Sequence, residues 1–246
     1  MRNKTIALAV MAILSSAFLS SCGDDPQPSP STDTKTVVSE PAQQHTEAPA
    51  EAIDASLLAF GAIVLPAEHI DELNMGKAYD EANVQSVLAH NWDVTDAATA
   101  KKQLDWLVNK GHRSEPNIMM LLDDGIDEEA DVIAYRRAMV DTLGFSEEEA
   151  KNFKNIDAWD IERIAVIARY SYLAGFLTAK EASQYLETAR KMAQDRYGSW
   201  SEYAVSFLTG RALSFGNTPI DLIGNIKTLM TDPNSIWNKN SEIWTK

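Results

Sequence analysis

Five polar residues are the strongest candidates for a site: His112, Arg113, Asp160, Arg163 and Arg211. A histidine can act as a general acid or base, and arginines can hold an anionic group beside a carboxylate. This set would suit a hydrolase or a transferase. The same residue types also join helices, because arginine and carboxylate groups form bidentate hydrogen bonds. The sequence leaves both interpretations open, and we prefer the scaffold interpretation.

Predicted helix positions explain how these residues could meet. Asp160 lies in the first turn of a central helix, where a carboxylate favours the helix dipole, and Asp157 is a candidate cap for that helix. Arg211 continues the apolar stripe of a later helix, so it either extends outward to solvent or pairs with a buried carboxylate, for which Asp160 is the natural partner. His112 follows a helix stop at Gly111, where it could cap the carbonyl groups of the preceding helix.

The chain after residue 53 predicts an all-α fold of about eight helices. At its centre we expect one nearly all-apolar helix, Ala158 to Leu177. No run of alternating apolar and polar residues is long enough to predict a strand. Other helices are predicted over 57–65, 81–90, 95–111 and 127–143. Capping boxes predict three more helix starts, at Ser146 with Glu149, Thr178 with Glu181 and Ser199 with Glu202, and Pro219 predicts another.

The beginning of the chain has the features of an export signal. Arg2 and Lys4 precede an apolar run of 14 residues, which is shorter than the roughly 20 that cross a bilayer as a helix. The segment Leu19-Ser20-Ser21-Cys22 then resembles the lipobox of bacterial lipoproteins. That resemblance implies cleavage after residue 21, lipid attachment at Cys22, and, with Gly23 rather than Asp next, an outer-membrane location on the periplasmic face or the cell surface.

The sequence thus predicts four regions. Residues 1–21 form the signal peptide, and 22–52 form the lipidated cysteine with a disordered tether that contains five prolines and no aromatic residue. Residues 53–216 form the all-α domain, and 217–246 form a C-terminal helical extension. In that extension Trp237 and Trp244 either strap the tail onto the domain or bind a partner, and we prefer the strap.

Charge and residue types exclude several classes of function. The net charge is −14, and removal of residues 1–21 would make it −16, so nucleic acid is not an expected partner. The four histidines lack metal-ligand spacing, and no phosphate-binding glycine loop is present. The acidic stretch 123–129 lacks the spaced ligands of a calcium loop. We therefore expect no metal and no cofactor.

Several motifs resemble the bacterial domain-of-unknown-function family 1266 between about residues 55 and 216. They occur in this order: Asn91-Trp92-Asp93, Leu104-Asp105-Trp106-Leu107, Gly111-His112-Arg113, Ala158-Trp159-Asp160 with Arg163, Tyr197-Gly198-Ser199-Trp200 and Gly210-Arg211. The resemblance implies an all-helical domain and supplies no catalytic residues.

Three hypotheses about function follow from the sequence. The first is a non-enzymatic helical interaction module, anchored to the membrane by its lipid, that binds a protein partner in the bacterial envelope. The second is an envelope hydrolase or transferase that uses His112, Arg113, Asp160 and Arg211. The third is an immunity-type protein that blocks a toxin.

Overall fold

A computed structural model describes residues 53–65, 81–153, 155–216 and 220–245. Within these ranges all regular structure is helical, and the all-α prediction is confirmed. No helix among them is both long and apolar enough to cross a bilayer. The predicted signal peptide, Cys22, the tether and Pro219 lie outside the described residues.

The described helices are numbered in chain order. They are α1 (Glu81–Trp92), α2 (Ala97–Asn109), α3 (Pro116–Asp124), α4 (Ala130–Ala138), α5 (Glu147–Lys151), α6 (Asp157–Leu173), α7 (Ala179–Arg196), α8 (Trp200–Phe215), α9 (Ile220–Thr231) and α10 (Ile236–Lys239).

Some predicted helix bounds differ from the structure. The stretch 127–143 is divided into α4 and a π-helical turn, Met139–Leu143, and 57–65 is a short 3₁₀ turn followed by irregular turns. Helix α3 was not predicted. Helix α6 ends at Leu173 rather than near 177, because Gly175 adopts a left-handed conformation with φ of 72°.

Helix α6 is the centre of the fold, as predicted, and contacts α1, α2, α7 and α8. Twelve of its 17 residues are buried. Such a helix is apolar on nearly every face because it has neighbours on nearly every side. It also buries three charged residues, Asp160, Glu162 and Arg169, and their environments decide what the helix can do besides packing.

Local capping signals in the sequence were largely correct. Ser146 with Glu149 and Thr178 with Glu181 form reciprocal capping boxes at the starts of α5 and α7. Ser199 also caps α8. The Glu202 carboxylate, however, accepts its hydrogen bond from the Gly198 N–H, so that box is incomplete.

Helix α2 is capped by Asp96, one residue after the predicted Thr95. The side chain of Asp96 accepts a hydrogen bond from the N–H of Thr99, and the Thr99 hydroxyl oxygen accepts one from the N–H of Asp96. Because both Thr95 and Asp96 are common cap residues, the sequence alone did not separate them.

The C-terminal tryptophans pack onto the domain. The buried Trp237 ring stacks on Trp200 at 4.5 Å between centroids, and its Nε1–H donates to the Ala59 carbonyl at 2.9 Å. Trp244 lies edge-on to Trp200 at 4.8 Å. This packing agrees with the strap interpretation, and it joins residues 53–65 to the end of the chain across α8.

Candidate functional site

The Asp160 carboxylate is the centre of a closed polar network between α2 and α6. Its exposed fraction is 0%. Oδ1 accepts the His112 backbone N–H at 2.9 Å, and Oδ2 accepts the Arg113 backbone N–H at 3.2 Å and Nη1–H at 2.9 Å. Burial raises the pKa of Asp160, and the donors from His112 and Arg113 oppose that rise. The pairing fixes the loop after α2 to the first turn of α6.

Arg113 also completes the C-terminal end of α2. Its Nη1 donates to the Leu107 carbonyl at 2.9 Å and its Nη2 to the Val108 carbonyl at 2.8 Å. These carbonyls lie in the last turn of the helix, where a cation is favourable. The capping role predicted for His112 therefore belongs to Arg113, because the long guanidinium reaches back to α2 while still holding Asp160.

Gly111 allows the backbone to turn after α2 so that His112 and Arg113 meet Asp160. Its φ is 70°, in the left-handed region that favours glycine. A Cβ at this position would lie 2.2 Å from Asp160 Oδ2 and 2.4 Å from Arg113 Nη1. Only glycine therefore lets the backbone approach the carboxylate closely enough for the network to form.

The start of α6 is capped differently from the prediction. Asp157 is the first residue of the helix rather than its cap, and its carboxylate pairs with Arg196. The Ala158 N–H donates instead to the Tyr197 hydroxyl at 2.9 Å and the Ser206 hydroxyl at 3.2 Å. The Asp157 N–H donates to the Asn155 side-chain oxygen at 3.0 Å, so hydroxyl groups from two later parts of the chain add to a local cap.

The expected pairing of Arg211 with Asp160 is wrong, because Asp160 is paired with Arg113. Helix α8 approaches α6 closely at Gly210, where a Cβ would lie 2.6 Å from the Trp159 Cβ. The next side chain, Arg211, therefore lies on the Trp159 face of the contact. Its Cζ is 5.8 Å from the Trp159 ring centroid.

Arg163 and Arg211 share two aromatic rings. The Arg163 Cζ is 3.2 Å from the Trp159 centroid and 5.6 Å from that of Phe215. The Arg211 Cζ is 4.5 Å from the Phe215 centroid. These distances are typical of cation–π contacts. We call Arg163 and Arg211 the guanidinium pair.

Burial lowers the pKa of Arg163 to about 9. Asp160 opposes this shift, and the nearby charge of Arg211 adds to it. Burial also lowers the pKa of Arg211, and the nearby Tyr135 opposes this shift. Two arginine cations are therefore held close together where burial removes part of their hydration.

His112 lies beside these groups and is partly exposed. Its Nδ1 is 2.8 Å from Glu115 Oε1, and its ring meets Trp106 edge-on at 5.0 Å. The His112 ring centroid is 6.5 Å from that of Trp159. The five predicted site residues thus do lie together, but in two groups: Arg113 with Asp160, and the guanidinium pair on Trp159, with His112 next to both.

Sequence reasoning missed a second buried carboxylate, Glu162. Its Oε1 accepts the Gly61 N–H and the Tyr203 hydroxyl, both at 2.9 Å, and its Oε2 accepts the Ile63 N–H at 3.2 Å. Burial raises the pKa of Glu162 to about 7, against these donors. An acidic residue among the apolar positions of the central helix was the available signal.

No group of three or more metal-ligating side chains occurs among the described residues. In the acidic stretch 123–129, Asp127 Oδ1 is 2.7 Å from Arg136 Nη1. An arginine at that distance already neutralises the carboxylate.

Residues 87–241 match the model of a family described as "Protein of unknown function (DUF1266)". The chain belongs to this family. No curated protein and no solved structure matches it. The motifs that first suggested the DUF1266 family, including Gly111-His112-Arg113, Trp159-Asp160 and Gly210-Arg211, supply the two groups described above. The family match itself assigns no activity to them.

Proposed function

We propose that the protein is a lipid-anchored, non-enzymatic interaction module of the bacterial envelope. Lipid at Cys22 holds the chain on the membrane, and two or three acyl chains on one residue give stable anchoring. A tether between the lipid and the helical domain would let the domain reach a protein partner away from the bilayer. The apolar surface of α3 and of the end of α8 carries the proposal.

Large apolar side chains are exposed on that surface. Met119 and Met120 on α3 are 50% and 55% exposed, and Phe215 at the end of α8 is 60% exposed. Helices α3 and α8 contact each other. Exposed methionines are typical of adaptable protein-binding surfaces.

The closed network supports a non-enzymatic role. A hydrolase that used Asp160 and Arg113 would need their oxygen atoms and N–H groups free to meet a substrate. Here Asp160 is fully buried, and Arg113 donates to two carbonyls and to Asp160. These groups are therefore committed to holding α2 on α6.

Replacing the lipidated cysteine tests the anchor. We expect Cys22→Ser to move the chain from the membrane fraction to the soluble fraction and to abolish labelling by an alkyne-tagged fatty acid. The matched control is Gly23→Asp, which keeps the thiol and should stay labelled and membrane-bound, but in the inner membrane. A Cys22→Ser chain that remained in the membrane fraction would contradict the proposed anchor.

Photo-crosslinking in intact cells tests the interaction surface. With a crosslinking amino acid at position 120, we expect a discrete product of higher mass, because Met120 would contact the partner. The control position is Lys191, which is exposed on α7. Equal products from positions 120 and 191 would count against this surface. So would the absence of any product when the crosslinking amino acid is placed at 119, 120 or 215.

A further inference from the structure

We propose that the surface formed by α3 and the start of α4 binds a basic amphipathic helix of a partner protein. This inference rests on the proposed function, since it names the class of partner for the same apolar surface. Besides Met119 and Met120 on α3, that surface includes Ile133 on α4, which is 44% exposed. Both helices contact α8, and only residues 125–129 separate them in the chain. We call Met119, Met120 and Ile133 the docking face.

Acidic side chains lie one helical turn from the docking face. Asp123 and Asp124 follow Met120 by three and four residues in α3, and Glu129 precedes Ile133 by four residues at the start of α4. Residues at these spacings are neighbours on the surface of a helix. All three acidic residues are exposed. The docking face therefore has an acidic border on both of its helices.

The charge of this region is largely uncompensated. Residues 114–135 contain seven acidic residues and no lysine or arginine. Within the described parts of the chain, two of the seven are paired, Glu115 with His112 and Asp127 with Arg136. The last turn of α3 contains no basic residue, although cations are favourable at the C-terminal end of a helix. Basic side chains supplied by a partner would therefore be favourable here.

The same charge disfavours the other possible occupants of the docking face. A second copy of this chain has a net charge of −14. The segments 22–52 and 66–80 each contain one lysine, against six and four acidic residues respectively. Anionic lipid headgroups would also be repelled. Because charges of opposite sign guide association and like charges disfavour wrong partners, a basic partner is the one that fits.

A helix is the form of partner that suits an exposed helical face. Helices pack together through side chains spaced three and four residues apart, and methionine side chains adapt to apolar faces of different shape. The Phe215 end of the apolar surface differs in charge, because Arg163 and Arg211 lie against that ring. We therefore place the basic side chains of the partner at the end formed by α3 and α4.

Methyl NMR with two synthetic peptides tests the charge of the partner. The probe has about 14 residues, or about 21 Å as a helix, with leucines spaced three and four residues apart and lysine elsewhere. Its matched control has glutamate in place of every lysine. The full chain carries ¹³C-methyl methionine in nanodiscs of zwitterionic lipid, and Met119→Leu and Met120→Leu assign the resonances. We expect saturable shifts of both methyl groups with the lysine peptide, at a Kd of micromolar order, and none with the glutamate peptide.

A double substitution tests the acidic border. Asp123→Asn combined with Asp124→Asn keeps the shape of both side chains and removes their charge, so the Kd for the lysine peptide should rise about fivefold or more. The Kd should also depend less on salt than that of the wild type. The matched control combines Glu187→Gln with Asp195→Asn, at two exposed positions on α7, and should leave the Kd unchanged.

Three results would overturn the basic partner: shifts that do not saturate with the lysine peptide, equal shifts with both peptides, or an unchanged Kd in the Asp123 and Asp124 double variant. Methyl shifts caused by anionic lipid in the nanodisc, without peptide, would assign the docking face to the membrane and would also overturn it. The proposed function fails separately, if no crosslinked product forms at position 120 in cells. A product at position 120 without a preference for the lysine peptide would remove only the basic partner.

Discussion

Asp160→Asn is expected to lower the free energy of unfolding by about 3–5 kcal/mol, because it breaks one side of a buried charge pair. The asparagine amide would place N–H groups against the N–H donors of His112 and Arg113, which now meet carboxylate oxygens. For a chain of this size the unfolding midpoint should fall by about 10 °C. Thermal unfolding of the full-length chain, followed by circular dichroism, measures the change.

A matched control separates the network from a general effect of charge. Asp195→Asn removes one exposed carboxylate on α7 and should change the midpoint by little. A large fall for Asp160→Asn alone would identify the network as a scaffold. An unchanged or raised midpoint would contradict this, since residues that do not stabilise the fold would then be kept for another purpose, such as binding or catalysis.

The features that the sequence predicted well are local ones. The capping boxes at Ser146 and Thr178 were found because both partners lie three residues apart, within one turn. The central position of α6 was also predictable, because a helix that is apolar on all faces must have neighbours on all sides. Such arguments need no knowledge of how distant segments meet.

The partner of Asp160 was not predictable in the same way. The choice between Arg113 and Arg211 depends on the path of the chain at two glycines. Gly111 turns the backbone towards the carboxylate, and Gly210 brings α8 against Trp159, which places Arg211 on the aromatic face. Helical spacing puts Arg211 on the correct stripe, but it does not say which residue of α6 that stripe meets.

Glu162 was missed for a related reason. Its hydrogen-bond partners include the backbone N–H groups of Gly61 and Ile63, about a hundred residues earlier in the chain. Backbone donors leave no side-chain pattern in a sequence. The Tyr203 hydroxyl is a side-chain partner, and it lies within the apolar stripe of α8.

Glu162 should make the stability of the protein fall as the pH rises from about 4.5 to about 7. Burial raises its pKa from 4.5 to about 7, so the folded state binds more protons than the unfolded state within this range. By linkage the free energy of unfolding then decreases with pH, by about 3 kcal/mol across the range. Burial also raises the pKa of Asp160, which contributes in the same direction.

Exposed acidic residues change the stability of the protein with pH in the opposite direction, and they do so at lower pH. Hydrogen bonds from Lys101 and Thr178 lower the pKa of Glu181 to about 2, so its stabilisation is present above pH 4.5 and is lost on acidification below it. The two effects therefore occupy different pH ranges. A stability maximum near pH 4.5 to 5 is the combined expectation.

Denaturant unfolding of the wild type and Glu162→Gln from pH 4.5 to 7.5 isolates the contribution of Glu162. The glutamine cannot ionise, so its stability should vary less with pH than that of the wild type, and the difference should change by about 3 kcal/mol over the range. Glu187→Gln, at an exposed position on α7, should keep the slope of the wild type. Parallel curves for Glu162→Gln and the wild type would mean that the donors from Gly61, Ile63 and Tyr203 compensate fully for burial. In that case Glu162 would stay ionised in the folded protein, and its carboxylate would fix residues 61–63 to α6 at every pH in the range.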